Sequence, residues 1–292
     1  MSAVHPFSLE RPTSVDAAVA ILATAPDDAR VMAGGQSLTP LLTLGLSSPE
    51  IVVSLDRCAD LNEIETNEAA LHLGAMVTTA EVERSKHIAG IAPLLTTAAR
   101  EVGSIHVRNF GTAVGNVCHA DPGSDLIPAL LCHHGAVQLR SPAGVRSVDI
   151  ADFVTGPFST AIAGAEIATS ITISREDTDG WHHGYRKLVK RSGDLAIATC
   201  AVRLRLESGA IQSARIAIGG ALSKARRLHA VEDALSGCAI DAASECALSS
   251  DWSVDATEYL MEDEQVSLEY LHLMFPRFIA ATVADALTGG LA

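Results

Sequence analysis

The sequence lacks the closely spaced cysteine pairs that hold iron–sulfur clusters and structural zinc. No C-x-x-C pair occurs among its six cysteines, which are Cys58, Cys118, Cys132, Cys200, Cys238 and Cys246. Clusters and zinc are normally bound by thiolates a few residues apart, so neither is expected within this chain and no metal site is predicted. We expect the cysteines to be reduced thiols that behave as small apolar core residues.

Positive charge and long apolar runs are also scarce. The formal net charge is −14, which argues against a nucleic-acid partner because so acidic a sequence supplies no basic surface to bind nucleic-acid phosphates. Apolar runs such as 127–132 are too short to cross a bilayer, so no transmembrane segment is expected. The first ten residues lack a basic stretch followed by an apolar one, and we therefore expect a cytoplasmic protein.

Hydrophobic residues make up 48% of the 292 positions and charged residues 19%, which predicts a compact core. The strand and helix patterns predict an α+β protein in three parts, residues 1–56, 57–175 and 176–292. The first part contains a β-α-β unit, in which a strand at 30–33 leads through glycines into a helix at 36–44 that ends at Gly45.

The second part alternates predicted helices with loops. Thr78 and Glu81 form a capping box, and residues 91–102 form a helix that ends at Gly103. The stretch 104–122 is predicted to be irregular. Asp121 and Pro122 are predicted to begin a helix that ends at Gly135, and Pro142 to Gly144 turn a hairpin.

The third part changes to strands followed by helices. The polar stretch 174–184 is the predicted linker, and residues 185–190, 197–207 and 211–218 are predicted strands. A helix from about 267 to 287 ends the pattern. Its apolar positions are typical of a packing helix.

Ala33 to Ser37 form a glycine turn between a strand and a helix, where successive backbone N–H groups can bind an anion. The Ser37 hydroxyl adds a further donor. A purely structural turn explains an isolated Gly-Gly pair equally well. The spacing is not G-x-G-x-x-G, so a Rossmann site is not predicted.

Gly111 to Asn116 form a second glycine segment just upstream of a predicted helix. Thr112 and Asn116 offer hydrogen bonds to phosphate or ribose, and Gly115 permits close approach. Asp125 can accept from ribose hydroxyl groups, or it can merely complement a helix dipole. Two such segments in one chain favour a nucleotide site.

Other polar residues allow more than one interpretation. The adjacent pairs His133-His134 and His182-His183 point in different directions and do not predict a shared metal site. His106 and His119 flank the second glycine segment. A basic cluster at 186–191 is either a solvated strand face or a charge that stabilises a reduced flavin or an acidic redox partner.

Three ordered runs resemble the FAD-binding medium subunit of molybdenum hydroxylases, a family that includes the carbon monoxide dehydrogenase medium subunit and the flavin domain of xanthine dehydrogenase. The runs are VMAGGQSLTPLL at 31–42, VRNFGTAVGNVCHADPGSDLIPALL at 107–131 and YRKLVKRSGDLAIA at 185–198. The resemblance extends through Gly219-Gly220, Arg226 and Glu232. It covers nearly the whole chain.

The resemblance implies a two-lobed FAD-binding domain of the PCMH-like type, made of residues 1–56 and 57–175, and a smaller C-terminal domain of antiparallel strands and helices at 176–292. It implies pyrophosphate at Ala33 to Ser37, Asp125 at the adenosine end, and Lys187 or Arg186 near the flavin. The residues implied to contact the cofactor are Val31, Met32, Ala33, Gly34, Gly35, Gln36, Ser37, Leu38, Val102, Thr112, Ala113, Gly115, Asn116, Ala120, Asp121, Asp125, Ile167, Lys187 and Leu195.

Two positions depart from the family pattern. Val114 stands where a glycine usually completes a T-x-G-G-N loop, so any positive φ there becomes costly and the loop is expected to shift. Leu195 stands where relatives often place an aromatic or large apolar side chain against the isoalloxazine ring. A leucine there gives up aromatic stacking.

The resemblance implies an electron-transfer subunit that has no catalytic acid or base of its own. Electrons would arrive from [2Fe-2S] clusters on a small subunit, with molybdopterin on a large subunit, and leave FAD for an external acceptor. A dimer of heterotrimers is expected. Two rivals remain, a stand-alone flavin oxidoreductase of the same fold and a nucleotide-binding assembly subunit without redox function.

Overall fold

A computed structural model describes residues 5–175, 180–262 and 266–289. In chain order the strands are β1 Ser8–Glu10, β2 Ala29–Met32, β3 Ile51–Ser54, β4 Ile64–Thr66, β5 Ala70–Gly74, β6 Ala136–Ser141, β7 Gly144–Asp149, β8 Val154–Gly156, β9 Ser159–Thr160, β10 Ile167–Ser174, β11 Trp181–Leu188, β12 Ala198–Glu207, β13 Ala210–Gly220 and β14 Arg226–Arg227.

The α-helices alternate with these strands at first and dominate after β14. They are α1 Val15–Thr24, α2 Leu38–Leu44, α3 Thr79–Arg84, α4 Lys86–Ile91, α5 Pro93–Glu101, α6 Ile105–Phe110, α7 Ala113–His119, α8 Leu126–Cys132, α9 Ile150–Phe153, α10 His229–Leu235, α11 Ala243–Ser249, α12 Ser253–Ala256 and α13 Leu268–Leu287. Short 3₁₀ helices lie at Ala59–Leu61, Ile240–Ala242 and Thr257–Tyr259.

The first sheet is small and parallel, in the order β1-β3-β2. Helix α2 makes the crossover from β2 to β3, as the β-α-β prediction requires, because parallel neighbours cannot be joined by a tight turn. Gly45 ends α2 in the left-handed conformation, with φ +71°. Ser14 caps α1 through its side chain. The predicted β-α-β unit is confirmed.

The second sheet is antiparallel, in the order β4-β5-β10-β6-β7. The predicted hairpin joins β6 to β7, and Ser141 pairs with Gly144 at its tip. The predicted capping box begins α3, where the Thr78 side chain accepts from Glu81 N–H and the Glu81 carboxylate accepts from Thr78 N–H. Helices α3 to α8 follow β5 and return the chain to the sheet at β6.

One helix prediction in this region is confirmed and one is wrong. The predicted helix at 91–102 is α5, which begins two residues later because Pro93 occupies its first position, where the missing N–H costs nothing. The stretch predicted to be irregular contains α6 and α7. Ser104 and Thr112 cap them by accepting from the amides three residues later.

The predicted helix start at Asp121 and Pro122 is also wrong. The Asp121 carboxylate accepts from Gly123 N–H at 2.8 Å, which closes a local turn in place of a helix cap. The carbonyl of Pro122 accepts from Gly220 N–H. Helix α8 therefore begins only at Leu126, after Asp125.

The third sheet is antiparallel, in the order β11-β12-β13-β14, and the long helix α13 packs on β11 and β12. The predicted turn between β12 and β13 is confirmed, with Ser208 and Gly209 both at positive φ. The predicted linker at 174–184 is partly wrong, because β11 already begins at Trp181. Its central residues 176–179 lie outside the described residues.

Two apolar cores organise the molecule. The first joins the parallel sheet and the second sheet through side chains such as Val53, Leu73 and Leu130. The second lies under α13 and includes Val202 and Phe275. The observed architecture confirms the α+β class, with one core under the first two sheets and a second core in the C-terminal part. The boundaries at 56 and 175 stay predictions.

The expectation of six reduced thiols is wrong for one pair. Cys238 and Cys246 form a disulfide, because the chain connecting α10 to α11 returns one to the other. Cys58, Cys132 and Cys200 are free and buried, as expected. Burial raises the pKa of the Cys132 and Cys200 thiols to about 12, which keeps them protonated.

Candidate functional site

The glycine turn at residues 33–37, which we call the open turn, joins β2 to α2. Gly35 has φ +70°, a conformation that favours glycine. Within the described residues, the amides of Gly34, Gly35, Gln36 and Ser37 donate to no protein acceptor. Ser37 caps α2 without a side-chain hydrogen bond. Successive donors of this kind suit an anion.

The open turn lies directly against the second glycine segment. A Cβ added to Gly34 would lie 1.8 Å from the carbonyl oxygen of Phe110, so only glycine permits this backbone contact. A Cβ at Gly115 would lie 3.8 Å from Cβ of Ala33. The structure therefore brings together the two segments that the sequence predicts to share one ligand.

The second segment is the first turn of α7 and is not a loop. Thr112 caps the helix, and its Oγ1 accepts from Gly115 N–H at 3.0 Å. Ala113 N–H donates to the carbonyl of Val77. Val114 is helical and buried, so the expected strain and shifted path at this position are wrong. A valine costs little there because no positive φ is required.

Further hydrogen bonds continue from α7 to Asp125. The side-chain oxygen Oδ1 of Asn116 accepts from Ser124 Oγ at 2.6 Å. Ala120 ends α7 in the left-handed conformation, with φ +50°, and is buried. Together with the Asp121 turn, these bonds satisfy most polar groups in residues 112–125, which we call the closed segment.

A buried ion pair ends the closed segment. Asp125 Oδ2 accepts from Lys187 Nζ at 2.9 Å, and Asp125 Oδ1 accepts from the Tyr185 hydroxyl at 2.7 Å. Lys187 Nζ also donates to the carbonyl of Glu101 at 2.8 Å. Both charged side chains are nearly inaccessible, with relative exposures of 6% for Lys187 and 5% for Asp125.

Burial shifts the pKa values of Asp125 and its partner Tyr185. Burial raises the pKa of the Asp125 carboxyl, and the Lys187 charge and the Tyr185 hydrogen bond oppose that rise. Burial and the adjacent carboxylate raise the pKa of Tyr185 well above its usual range. Tyr185 therefore stays a neutral donor.

The structure brings together Asp125, which the resemblance assigns to the adenosine end of the cofactor, and Lys187, which it assigns to the flavin; both contacts with the cofactor stay predictions. The two side chains are one hydrogen bond apart, whereas the ends of an extended dinucleotide are much farther apart than that. Glu101, whose carbonyl binds Lys187, directly precedes Val102. Val102, Asp125 and Lys187 therefore form one cluster at one end of the candidate site.

The remaining implied residues divide by exposure. Val31, Met32 and Leu38 are half-buried beside the open turn, and Leu195 is 67% exposed. Ile167 is buried in the sheet core, beside Arg140 of β6. Its contact with a cofactor stays a prediction, as do those of the other implied residues.

Sequence reasoning missed three partners in this region. They are Tyr185, the Ser124 hydroxyl and the backbone of Phe110. All three stand in the runs that carry the resemblance, which is the available signal. Residue type alone does not show that the Phe110 backbone meets Gly34 or that the Tyr185 hydroxyl meets Asp125, because both contacts join distant parts of the chain.

The described parts of the chain also limit other site types. In residues 5–175, 180–262 and 266–289, no group of three or more His, Cys, Asp or Glu side chains is arranged to hold a metal ion. Within the same ranges, no helix combines the length and apolar character needed to cross a membrane.

Comparison with known proteins assigns the family. Residues 5–175 match the family model described as the FAD binding domain in molybdopterin dehydrogenase. Residues 183–250 match the CO dehydrogenase flavoprotein C-terminal domain. The chain belongs to the flavoprotein subunits of the molybdenum hydroxylases. It is an FAD-binding oxidoreductase subunit of this family.

Relatives of this family cover nearly the whole chain. The nicotine 6-hydroxylase medium subunit of Paenarthrobacter nicotinovorans is 32% identical and covers 94% of this chain and 95% of its own length. The glyceraldehyde dehydrogenase medium chain of Sulfolobus acidocaldarius is 34% identical over 77% of this chain and 79% of its own.

Solved structures agree in fold. A chain of carbon monoxide dehydrogenase from Hydrogenophaga pseudoflava superposes with a TM-score of 0.90 at 28% identity, covering 99% of this chain and all of that one. A chain of quinoline 2-oxidoreductase from Pseudomonas putida 86 gives 0.88 at 29% identity, with full coverage of both chains.

The open turn fits the cofactor of this flavoprotein family. Pyrophosphate needs several donors and close backbone approach, and among the described residues the turn offers four amides without protein acceptors, two of them from glycines. The closed segment lies against this turn, and the side chains of Thr112 and Asn116 are engaged by protein groups.

Proposed function

We propose that the chain holds FAD in the seam between the open turn and α7, with the pyrophosphate on the amides of residues 34–37. The single observation that carries the proposal is that these four amides have no protein acceptor in the part of the chain that the structure describes, while Gly34 contacts the backbone of Phe110. An anion there would satisfy donors that the fold leaves exposed.

We further propose that the chain transfers electrons within a multi-subunit molybdenum enzyme. Bound FAD supplies a centre that can receive electrons from [2Fe-2S] clusters of a small subunit and release them to an external acceptor. The cysteines of this chain include no closely spaced pair, which supports placing the clusters on a partner. Molybdopterin is placed on a large subunit.

The names of the relatives support this assembly. Several are medium subunits or medium chains, which implies smaller and larger partners, and the superposed structures include a carbon monoxide dehydrogenase described as lacking its Mo-pyranopterin moiety. A dimer of heterotrimers is the proposed assembly. The substrate would then bind on the large subunit.

The residues of this chain bind and orient the cofactor and transfer no proton in the proposed role. The open turn holds the diphosphate, and α7 provides a rigid wall that is fixed by the Thr112 cap. The Asp125–Lys187 pair joins α8 to β11 and so fixes the C-terminal part against the FAD-binding part.

Substitution of Gly35 tests the pyrophosphate position. Gly35 and Gly45 have φ +70° and +71° at opposite ends of α2, so Gly35→Ala and Gly45→Ala impose similar backbone strain. We expect Gly35→Ala to weaken FAD binding at least tenfold, because two or more amides lose their position. FAD titration of the purified apo-chain measures this affinity.

The Gly45→Ala variant is the matched control. It should show a similar loss of thermal stability and nearly unchanged affinity for FAD. Equal affinities of the two variants would remove the open turn from the proposal. Failure of the wild-type chain to bind FAD would reject the proposed function as a whole.

A further inference from the structure

Phe158 adopts a backbone conformation that an aromatic residue rarely takes. Its φ is +52°, and it follows Pro157 in the turn between β8 and β9. Proline followed by positive φ has the features of a type II turn, whose second central position favours glycine or asparagine. A bulky residue there is strained, and such strain concentrates at functional sites.

Burial does not explain why a phenylalanine occupies this turn. Its side chain is 61% exposed, so the ring contributes little to either core. A glycine would satisfy the turn with less strain and would expose no apolar surface. Packing in the two cores therefore gives no reason for a bulky ring at this strained position.

The strained turn is fixed to the end of α7. Phe158 N–H donates to the carbonyl of Ala120 at 2.9 Å, and Ala120 is itself left-handed. The Phe158 ring lies 5.1 Å from the ring of His119, at an angle of 52°. The His119 ring supports the Phe158 ring from one side, which holds it in a defined orientation.

The position along α7 relates Phe158 to the proposed cofactor. The first turn of α7 lies against the open turn, and a seven-residue helix is about 10 Å long, with His119 at its far end. That length is comparable to the span of a ribityl chain. A flavin whose pyrophosphate rests on the open turn can therefore place its ring system near the far end of α7.

We infer, on the basis of the proposed FAD site, that Phe158 contacts the isoalloxazine ring and forms, with His119, an aromatic wall of the flavin pocket. Leu195 supplies no aromatic surface, and it lies next to Ala196, whose backbone nitrogen is 3.3 Å from the position of a Cβ at Gly123. The chain at Phe158 therefore meets Ala120, just before the turn at Asp121 to Gly123, and the chain next to Leu195 meets Gly123 within it. The Phe158 ring supplies the stacking surface that Leu195 lacks.

A tryptophan at this position tests contact directly. An indole in contact with a flavin quenches its emission by electron transfer, and the effect requires near contact. We expect the flavin emission of Phe158→Trp to fall to a small fraction of the wild-type value at saturating FAD. Tyr270→Trp is the control, because Tyr270 is an exposed aromatic residue on α13, in the C-terminal part.

Removal of the ring gives a second readout. Phe158→Ala should weaken FAD binding by about three- to tenfold, because one aromatic contact is lost. Phe158→Gly should lose affinity equally while matching or exceeding wild-type thermal stability, since glycine relieves the backbone strain. A merely structural role would lower stability in both variants and leave affinity unchanged.

The outcomes separate this inference from the proposed function. If wild type binds FAD but Phe158→Trp emits like Tyr270→Trp and Phe158→Ala keeps its affinity, Phe158 does not contact the flavin. If, in addition, the Phe158 variants assemble less well with partner subunits, the ring belongs to a subunit interface, which also overturns the inference. If wild type binds no FAD, the proposed function itself fails.

Discussion

The open turn and the closed segment have similar compositions but differ in hydrogen bonding. Both contain glycines and small polar residues, and the sequence predicts that both contact a nucleotide. Among the described residues, the four successive amides of the open turn have no protein acceptors, whereas the side chains of Thr112, Asn116 and Asp121 each engage a group of their own chain. Glycine content therefore marks close approach, and hydrogen bonding decides which segment can bind an anion.

The largest expected effect concerns the ion pair that ends the closed segment. Lys187→Met leaves the buried Asp125 carboxylate without its charge partner, which should lower the free energy of unfolding by about 3–5 kcal/mol at neutral pH. Denaturant titration measures the loss. The double variant Asp125→Asn with Lys187→Met should recover part of it, because the uncompensated charge is gone.

This loss should depend on pH with a definite sign. Burial raises the pKa of Asp125 in the folded state, and removal of Lys187 removes an opposing influence. A carboxyl group with a raised folded pKa favours folding when it is protonated, so the defect of Lys187→Met should shrink as pH falls into the acid range. A defect independent of pH would show that lost packing, and not the buried charge, is responsible.

The next largest effect concerns Gly34, a residue of the open turn that is closely packed. It would break the contrast between the open turn and the closed segment. Gly34→Ala places a Cβ 1.8 Å from the carbonyl oxygen of Phe110, so the two segments must separate. We expect a loss of about 3 kcal/mol in the free energy of unfolding, together with loss of FAD binding. Gly90→Ala is the control, since its Cβ meets open space on α4 and should stabilise by about 0.5–1 kcal/mol.

Unchanged stability in Gly34→Ala would mean that the contact between the open turn and α6 yields easily. The two segments would then be independently mobile, and their adjacency would no longer support a shared ligand.

The smallest effects sharpen the comparison between the two helix caps. Thr112→Ala removes the cap of α7 and should cost about 1 kcal/mol of unfolding free energy, while Thr112→Ser should retain most of it. Ser37→Ala should leave stability unchanged because Ser37 makes no cap hydrogen bond. If the Ser37 hydroxyl binds phosphate, Ser37→Ala should weaken FAD binding at this unchanged stability. Thermal denaturation and FAD titration together separate the two roles.

Local chemistry made much of the fold predictable. The capping box at Thr78, the Gly45 helix end and the Ser208-Gly209 turn depend on neighbours in the chain, and all three are confirmed. The helix start at Asp121 was predicted wrongly because two local options compete there. The Asp121 carboxylate binds Gly123 N–H in a turn, and the chain leaves helical geometry until Asp125.

The site could be predicted in part. The sequence indicated the open turn and Asp125, and the resemblance added Lys187. The resemblance assigned Asp125 and Lys187 to different parts of the cofactor, whereas the two side chains form one ion pair. Val114 seemed incompatible with the expected loop, and its helical conformation removes the conflict. Tyr185 went unnoticed since its hydroxyl acquires a partner only when β11 meets α8.

By itself, the sequence determined most of the strands, the local helix caps and turns, the glycine turn at residues 33–37 and the lack of closely spaced cysteine pairs, because each depends on residue type and short spacing. The tertiary structure alone decided that Gly34 meets Phe110, that Asp125 pairs with Lys187 and that Phe158 rests on the end of α7. These contacts join residues distant in the chain. They exist only because burial of the two apolar cores brings the three sheets together.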